Sequence, residues 1–131
     1  MEGYTDKEKE LIKQYGDYMK SAGFYSVGAD VNCWRFKYGE NANDTFWIVD
    51  LYCEGEFSPR IYQFRWEFDG INDPKLIAIQ DGSGFNTSYK PKTFAAFKKR
   101  IDESVAKFGE YEKYKKQIIE NKRLKIMQTD F

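Results

Sequence analysis

Three charged side chains in alternating segments are the residues best suited to bind a ligand. Arg35, Asp50 and Arg65 lie in segments where apolar and polar residues alternate, with Tyr52 and Gln63 near them. Guanidinium groups bind phosphates and carboxylates through paired hydrogen bonds. If three strands bring these side chains to one sheet face, the sequence predicts a polar site with surplus positive charge. It would hold an anionic nucleotide or a partner's acidic side chain; the alternative is a plain row of cross-strand ion pairs.

Catalytic chemistry is poorly represented in this sequence. It contains no histidine, which removes Cys–His and Ser–His nucleophiles and histidine-ligated metal sites. The glycine-containing segment 81–92 lacks the spacing of a phosphate-binding loop, and the acidic turns lack that of an EF-hand. We therefore expect a protein that is not an enzyme, with no cofactor and no metal. Cys33 and Cys53 are expected to be reduced, on opposite faces of a sheet.

Charge is distributed unevenly along the chain. Residues 1–89 carry 9 Lys and Arg against 15 Asp and Glu, whereas residues 90–125 carry 12 against 5, and the whole chain is neutral. This polarity favours self-association or a partner that recognises one sign of charge. The alternative is internal, with a basic helix lying on its own acidic sheet.

The first element that the sequence predicts is an amphipathic helix over residues 6–22. Thr5 and Glu8 form a capping-box pattern ahead of it, and Gly23 stands where a left-handed residue would end it. Apolar residues between these two signals recur at helical spacing.

Period-two alternation then predicts four sequential antiparallel strands, at 31–38, 46–53, 60–68 and 75–80. Turn-forming residues fill the gaps 39–45, 54–59 and 69–74. Residues 24–30 are a weaker candidate for a further strand, because they include Gly28.

Strand register decides which side chains share a face. One pairing sets Trp34, Phe36 and Tyr38 opposite Leu51, Val49 and Trp47; the next sets Leu51, Val49 and Trp47 opposite Phe64, Trp66 and Phe68. The aromatic row of 60–68, which begins at Tyr62, would then be core. Arg35, Asp50 and Arg65 would line up on the reverse face, with Phe46 nearby.

A long C-terminal helix is predicted to begin at Thr93 and to run to about residue 127. Its apolar stripe weakens beyond Gly109, which predicts either a bend there or a projecting extension at 110–131 that needs a partner. The extension carries a basic surface that would suit a nucleic acid as an alternative partner. The surface comprises Lys113, Lys116, Lys122 and Arg123.

These patterns predict one α+β domain over residues 1–131: an N-terminal helix, a four-stranded antiparallel meander and a long or kinked C-terminal helix. We expect a cytoplasmic protein without a membrane span, acting in a homo-oligomer or a hetero-complex with a protein partner. Composition suggests a phage or mobile-element accessory protein, such as an inhibitor of a host macromolecule, which would act in the host cytoplasm. The alternatives are a nucleotide-binding protein, a nucleic-acid-binding module and an immunity-type protein.

Overall fold

The computed structural model describes residues 4–29, 32–38 and 48–129. It confirms the predicted α+β class, with an N-terminal helix, an antiparallel sheet and a long C-terminal helical segment. In chain order the elements are α1 (Asp6–Ser21), β1 (Phe24–Ala29), β2 (Cys33–Tyr38), β3 (Val49–Glu54), β4 (Glu56–Tyr62), β5 (Phe64–Glu67), β6 (Lys75–Ala78), β7 (Ser88–Tyr89), α2 (Phe94–Phe108) and α3 (Glu110–Thr129). None of the described helices is long and apolar enough to cross a membrane.

Helix α1 forms as its sequence signals predict. The Thr5 hydroxyl accepts from the Glu8 amide at 3.1 Å, and the Glu8 carboxylate accepts from the Thr5 amide at 2.8 Å. Gly23 has a φ of 105°, a conformation that glycine adopts without strain. At Gly16 a Cβ atom would lie 3.4 Å from the Phe36 ring, so α1 packs closely against β2.

The larger sheet has the order β1-β2-β3-β4-β7, in which β1 to β4 form a meander. The segment that was a weak candidate, 24–29, is therefore an edge strand. The predicted register between β2 and β3 is confirmed, with Trp34 opposite Leu51 and Phe36 opposite Val49. Trp47 and Phe46 lie outside the described residues, as does the turn 39–45.

The predicted register between β3 and the next strand is wrong. Glu54 pairs with Glu56 across Gly55, whose φ of 77° makes a tight turn, and Leu51 therefore lies opposite Pro59 rather than Phe64. We expected all of 54–59 to be turn because it contains glycine and proline. Only Gly55 turns the chain, and Pro59 is a strand residue. The shift from Phe64 to Pro59 is an odd number of residues. Each side chain of this strand therefore lies on the sheet face opposite to the one predicted.

Gln63 marks a junction between the two sheets. Its N–H donates to the Thr87 carbonyl at 3.0 Å, and its carbonyl accepts from the Ile79 N–H at 3.1 Å. The Thr87 N–H donates in turn to the Ile79 carbonyl at 2.8 Å, so three segments meet with these backbone groups paired. Beyond Gln63, β5 pairs with β6 in a separate two-stranded sheet. Of the predicted segment 60–68, residues 60–62 therefore belong to β4 of the meander, whereas β5 and β6 lie in the second sheet and do not extend it.

The aromatic row that begins at Tyr62 is divided by this junction. Phe64 is buried in the main core with Phe36, Val49 and Leu51, and Trp66 packs against that core. The Tyr62 hydroxyl instead reaches Asp50, at 3.1 Å, on the other face of the large sheet. The core prediction is confirmed for Phe64 and Trp66. Tyr62 packs against the core and also donates a hydrogen bond to Asp50 on the reverse face.

The C-terminal helical segment divides at Gly109, where α2 ends and α3 begins. Gly109 has φ −60° and ψ −20°, so the helix is interrupted without a left-handed residue. The Trp66 indole donates to the Lys107 carbonyl at 2.8 Å, and the Phe68 and Tyr114 rings lie 4.6 Å apart. The first half of α3 is thereby packed on the β5–β6 sheet.

Candidate functional site

The reverse face of the large sheet carries a buried carboxylate between two arginines. Asp50 of β3 lies opposite Arg35 of β2 on one side and opposite Arg60 of β4 on the other. The Arg35 Nε atom lies 3.5 Å from Asp50 Oδ1, and Asp50 is only 3% exposed. A buried carboxylate requires charged or hydrogen-bonding partners, because its transfer out of water is costly.

Tyrosines hold the second arginine and the carboxylate in place. The Arg60 guanidinium carbon lies 4.1 Å from the centre of the Tyr52 ring, which is a cation–π contact. The Tyr62 hydroxyl donates to Asp50 Oδ2 at 3.1 Å. All of these side chains project from strands, so the sheet fixes their spacing.

Burial dominates the electrostatics of this carboxylate. It raises the pKa of Asp50 above the ordinary aspartate value, while the Tyr62 hydrogen bond and the charges of Arg35 and Arg60 act in the opposite direction. Burial also raises the pKa of Tyr62, and the nearby Asp50 charge adds to the effect. The Tyr62 hydroxyl therefore stays protonated and remains a donor to Asp50.

An open groove of about 470 Å³ lies over these residues. Its far side is formed by the segment between β6 and β7 and by β7 itself, with Phe85, Asn86 and Ser88. Phe85 is 70% exposed, so a large aromatic ring stands at the rim. The residues described as lining this groove, which we call the sheet groove, include two guanidinium groups and one carboxylate.

The structure brings together three of the five predicted sheet residues. Arg35, Asp50 and Tyr52 line the sheet groove. Arg65 belongs to β5, is exposed and lies 3.7 Å from Glu67, so it is not in the row with Arg35. The Gln63 side chain accepts from the Thr87 hydroxyl at 2.8 Å and belongs to the junction between the sheets.

Arg60 is the residue that sequence reasoning missed. The sequence pattern places Arg60 at the start of the predicted strand 60–68, after a predicted turn of six residues where the structure has a turn at Gly55 alone. The signal that could have found it is the pair Glu54 and Glu56 around Gly55, since one glycine between two polar residues suffices for a tight reversal. Once that turn is placed, Arg60 falls opposite Asp50.

A second candidate surface lies on the C-terminal half of α3. Ile119, Ile126 and Met127 are 66%, 62% and 53% exposed. With 3.6 residues per turn they fall on one side of the helix, away from the buried Ile118. Lys116 and Arg123 lie on the same side, and we call these five residues the α3 stripe.

The four predicted basic residues of this helix are all exposed, and they do not form one row. Lys116 and Arg123 are seven residues apart and nearly superimposed along the helix. Lys122 flanks the α3 stripe on one edge, and Lys113 lies further round. The cations therefore lie among and beside the apolar side chains instead of forming a continuous basic track.

The two cysteines are free, as expected. Cys33 is buried opposite Tyr52, and Cys53 packs against the main core, which places the two thiols on opposite sheet faces. Burial raises the pKa of Cys53 to about 11. A thiol with this pKa is a poor nucleophile near neutral pH. Within the described residues, no group of three or more Cys, Asp or Glu is arranged to hold a metal ion.

Comparison with protein-family models, with curated proteins and with solved structures finds no match for this chain.

Proposed function

We propose that this chain is a non-enzymatic interaction protein that binds another protein through the α3 stripe. The observation that carries the proposal is the exposure of three large apolar side chains, Ile119, Ile126 and Met127, on one side of a helix. Clustered exposed apolar side chains on a regular element are typical of interaction sites. An amphipathic helix docked in a groove is a common form of protein recognition.

The contacts of α3 support this proposal, because they hold its first half on the body and leave its end exposed. The Asn121 side chain donates to the Gly70 carbonyl at 2.9 Å, and Lys115 pairs with Asp73 at 2.9 Å, so the first half is held on the β5–β6 sheet. Residues 122–128 are all exposed. At ~1.5 Å per residue this exposed part is about 10 Å long, which is about two turns. The packed first half thus fixes the direction in which the end of α3 leaves the body.

The charge of the side chains in and beside the α3 stripe indicates what kind of partner surface would fit it. Lys116 and Arg123 lie between Ile119 and Met127 around the helix, and Lys122 lies at the edge of the stripe, so the best complement is an apolar groove that also carries acidic side chains. A second copy of the same helix is a poor complement, because two such stripes would oppose like charges. A different protein, in a hetero-complex, is therefore the occupant that we favour.

The setting of this activity is also part of the proposal. A short chain rich in Lys, Tyr, Phe and Asn suits a phage or mobile-element accessory protein, and binding by occlusion suits an inhibitor of a host protein in the cytoplasm. An immunity-type protein would use the same kind of surface. Composition supports this part, and the geometry of α3 supports the mode of binding.

The test is affinity capture from the native host with three baits: the wild type, a stripe variant and a control. The stripe variant carries Ile119→Ser and Met127→Ser. The control carries Ile71→Ser, which removes a side chain that is 73% exposed on the turn after β5. We expect a protein that the wild type and the control retain and the stripe variant loses. With that protein purified, the stripe variant should bind at least about tenfold more weakly.

Two outcomes would overturn the proposal. In one, nuclease treatment abolishes retention and binding to nucleic acid falls steeply with salt, which would assign the basic residues to a nucleic acid. In the other, all three baits retain the same proteins. Light scattering over a concentration series tests whether the partner is a second copy of this chain. A dimer that the wild type forms and the stripe variant cannot form would show that it is, and would overturn the hetero-complex.

A further inference from the structure

The sheet groove contains a buried hydrogen-bond acceptor and a buried donor for which the part of the chain that the structure describes supplies no hydrogen bond. Among the described residues, neither Asp50 Oδ1 nor Arg60 Nε has a hydrogen-bond partner. The 3.5 Å distance from Arg35 Nε to Asp50 Oδ1 is an ion-pair contact and is longer than a normal N–H···O hydrogen bond. Buried polar atoms in folded proteins nearly always have partners, so each such atom requires an explanation.

From these two atoms we infer that the sheet groove binds a nucleotide. A ligand that satisfies both offers a donor, such as a hydroxyl, to Asp50 Oδ1 and an acceptor, such as a phosphate oxygen, to Arg60 Nε. A phosphorylated sugar carries both groups a few bonds apart. The two guanidinium groups outnumber the one carboxylate among the lining residues described, and this surplus positive charge favours a phosphate.

The rim of the sheet groove distinguishes a nucleotide from a simple sugar phosphate. Phe85 is 70% exposed beside the groove and offers a flat apolar face to a planar base. Stacking on an aromatic side chain is a general way to hold a nucleobase. The groove, at about 470 Å³, is within the range of small-ligand sites.

The alternative explanation is that Asp50 and its two arginines are structural. The arginines neutralise the buried carboxylate, and the Tyr62 hydrogen bond orients it. This alternative explains the ion pair, but it gives Arg60 Nε no acceptor among the described residues. The nucleotide site is independent of the α3 stripe, which lies on a different element, so the failure of either proposal leaves the other standing.

The test is isothermal titration of the full-length protein with four probes: inorganic phosphate, ribose 5-phosphate, adenosine and AMP. We expect ribose 5-phosphate to bind, AMP to bind about tenfold more tightly, and phosphate and adenosine to bind more weakly than either. Arg60→Gln removes the guanidinium and should weaken AMP about tenfold to a hundredfold. Arg65→Gln is the matched control, because Arg65 is an exposed arginine of β5 outside the groove, and it should bind AMP as the wild type does.

Phe85→Ser keeps the experiment decisive if Arg60→Gln fails to fold, since the ring is exposed and its loss should leave the fold intact. This variant should lose the advantage of AMP over ribose 5-phosphate while binding ribose 5-phosphate normally. The inference is overturned if none of the four probes binds, if Arg65→Gln weakens AMP as much as Arg60→Gln does, or if AMP and ribose 5-phosphate bind equally to the wild type.

Discussion

At the scale of single residues, the surroundings of a carboxylate determine the direction in which its pKa shifts. Asp50 is buried between two arginines and a tyrosine hydroxyl, and its pKa is raised by burial. Asp69 is exposed at the end of β5, and its pKa is lowered to about 2 by hydrogen bonds from the Asn72 and Ile71 amides. The same side-chain type is thus a candidate ligand contact in the sheet groove and a turn cap at the end of a strand.

The Asp69 cap predicts a specific dependence of stability on pH. Its pKa is lower in the folded chain than the ordinary value of 3.8, so its charged form stabilises the fold. That stabilisation is present above about pH 4 and is lost as the pH falls towards 2. Asp69→Asn keeps an acceptor oxygen and cannot titrate. We therefore expect the wild type to be the more stable protein at pH 6, and the difference to shrink progressively below pH 4.

Thermal unfolding of both proteins between pH 2 and pH 6 measures this difference. A constant gap between the two melting temperatures over the whole range would show that Asp69 does not gain its stability from the charged form.

At the scale of elements, the turn after β5 ties the small sheet to α3. Gly70 has a φ of 84°, and its carbonyl accepts from the Asn121 side chain. A Cβ atom at Gly70 would lie 3.3 Å from the Asn121 amide nitrogen. The orientation of the first half of α3, and hence the direction of its exposed end, depends on this contact.

Two glycines with the same backbone angle allow the contact to be measured. Gly84 also has a φ of 84°, and a Cβ there would meet nothing within 4 Å. Gly84→Ala should therefore cost only the backbone strain, about 1 kcal/mol. Gly70→Ala adds the disturbed Asn121 hydrogen bond and should cost about 1 kcal/mol more.

The measurement is the free energy of unfolding by urea for the wild type and both variants. Equal losses in the two variants would mean that the Asn121 contact does not help to hold α3 against the turn.

The elements differ in how well the sequence predicts them, and the reasons are physical. Helix α1 has local signals at both ends, and the β2–β3 register follows from two facing rows of apolar residues, so both could be predicted. The break at Gln63 could not, because alternation continues on both sides of it and only the arrival of Ile79 and Thr87 makes it a junction. The candidate site could be predicted only in part for the same reason. Arg35, Asp50 and Tyr52 come from strands whose register could be predicted, whereas the position of Arg60 depends on a turn with one glycine.

At the scale of the whole molecule, charge is separated along the chain and only partly neutralised within it. The Lys115–Asp73 pair, at 2.9 Å, is one contact between the basic helix and the acidic half of the chain, of the kind that the internal alternative requires. Beyond residue 121 the helix is basic and exposed, with apolar side chains among the charges. The body therefore uses the first half of α3 for its own packing and presents the second half outward.

Amide hydrogen exchange of the wild-type protein alone, at low micromolar concentration, tests most directly whether the α3 stripe is open to a partner. We predict slow exchange in α3 up to about residue 121, where the helix packs on the β5–β6 sheet, and fast exchange from 122 to 129, because exposed helix ends open readily. Slow exchange through to residue 129 at this concentration would show that the end of α3 is already covered, which would contradict the account.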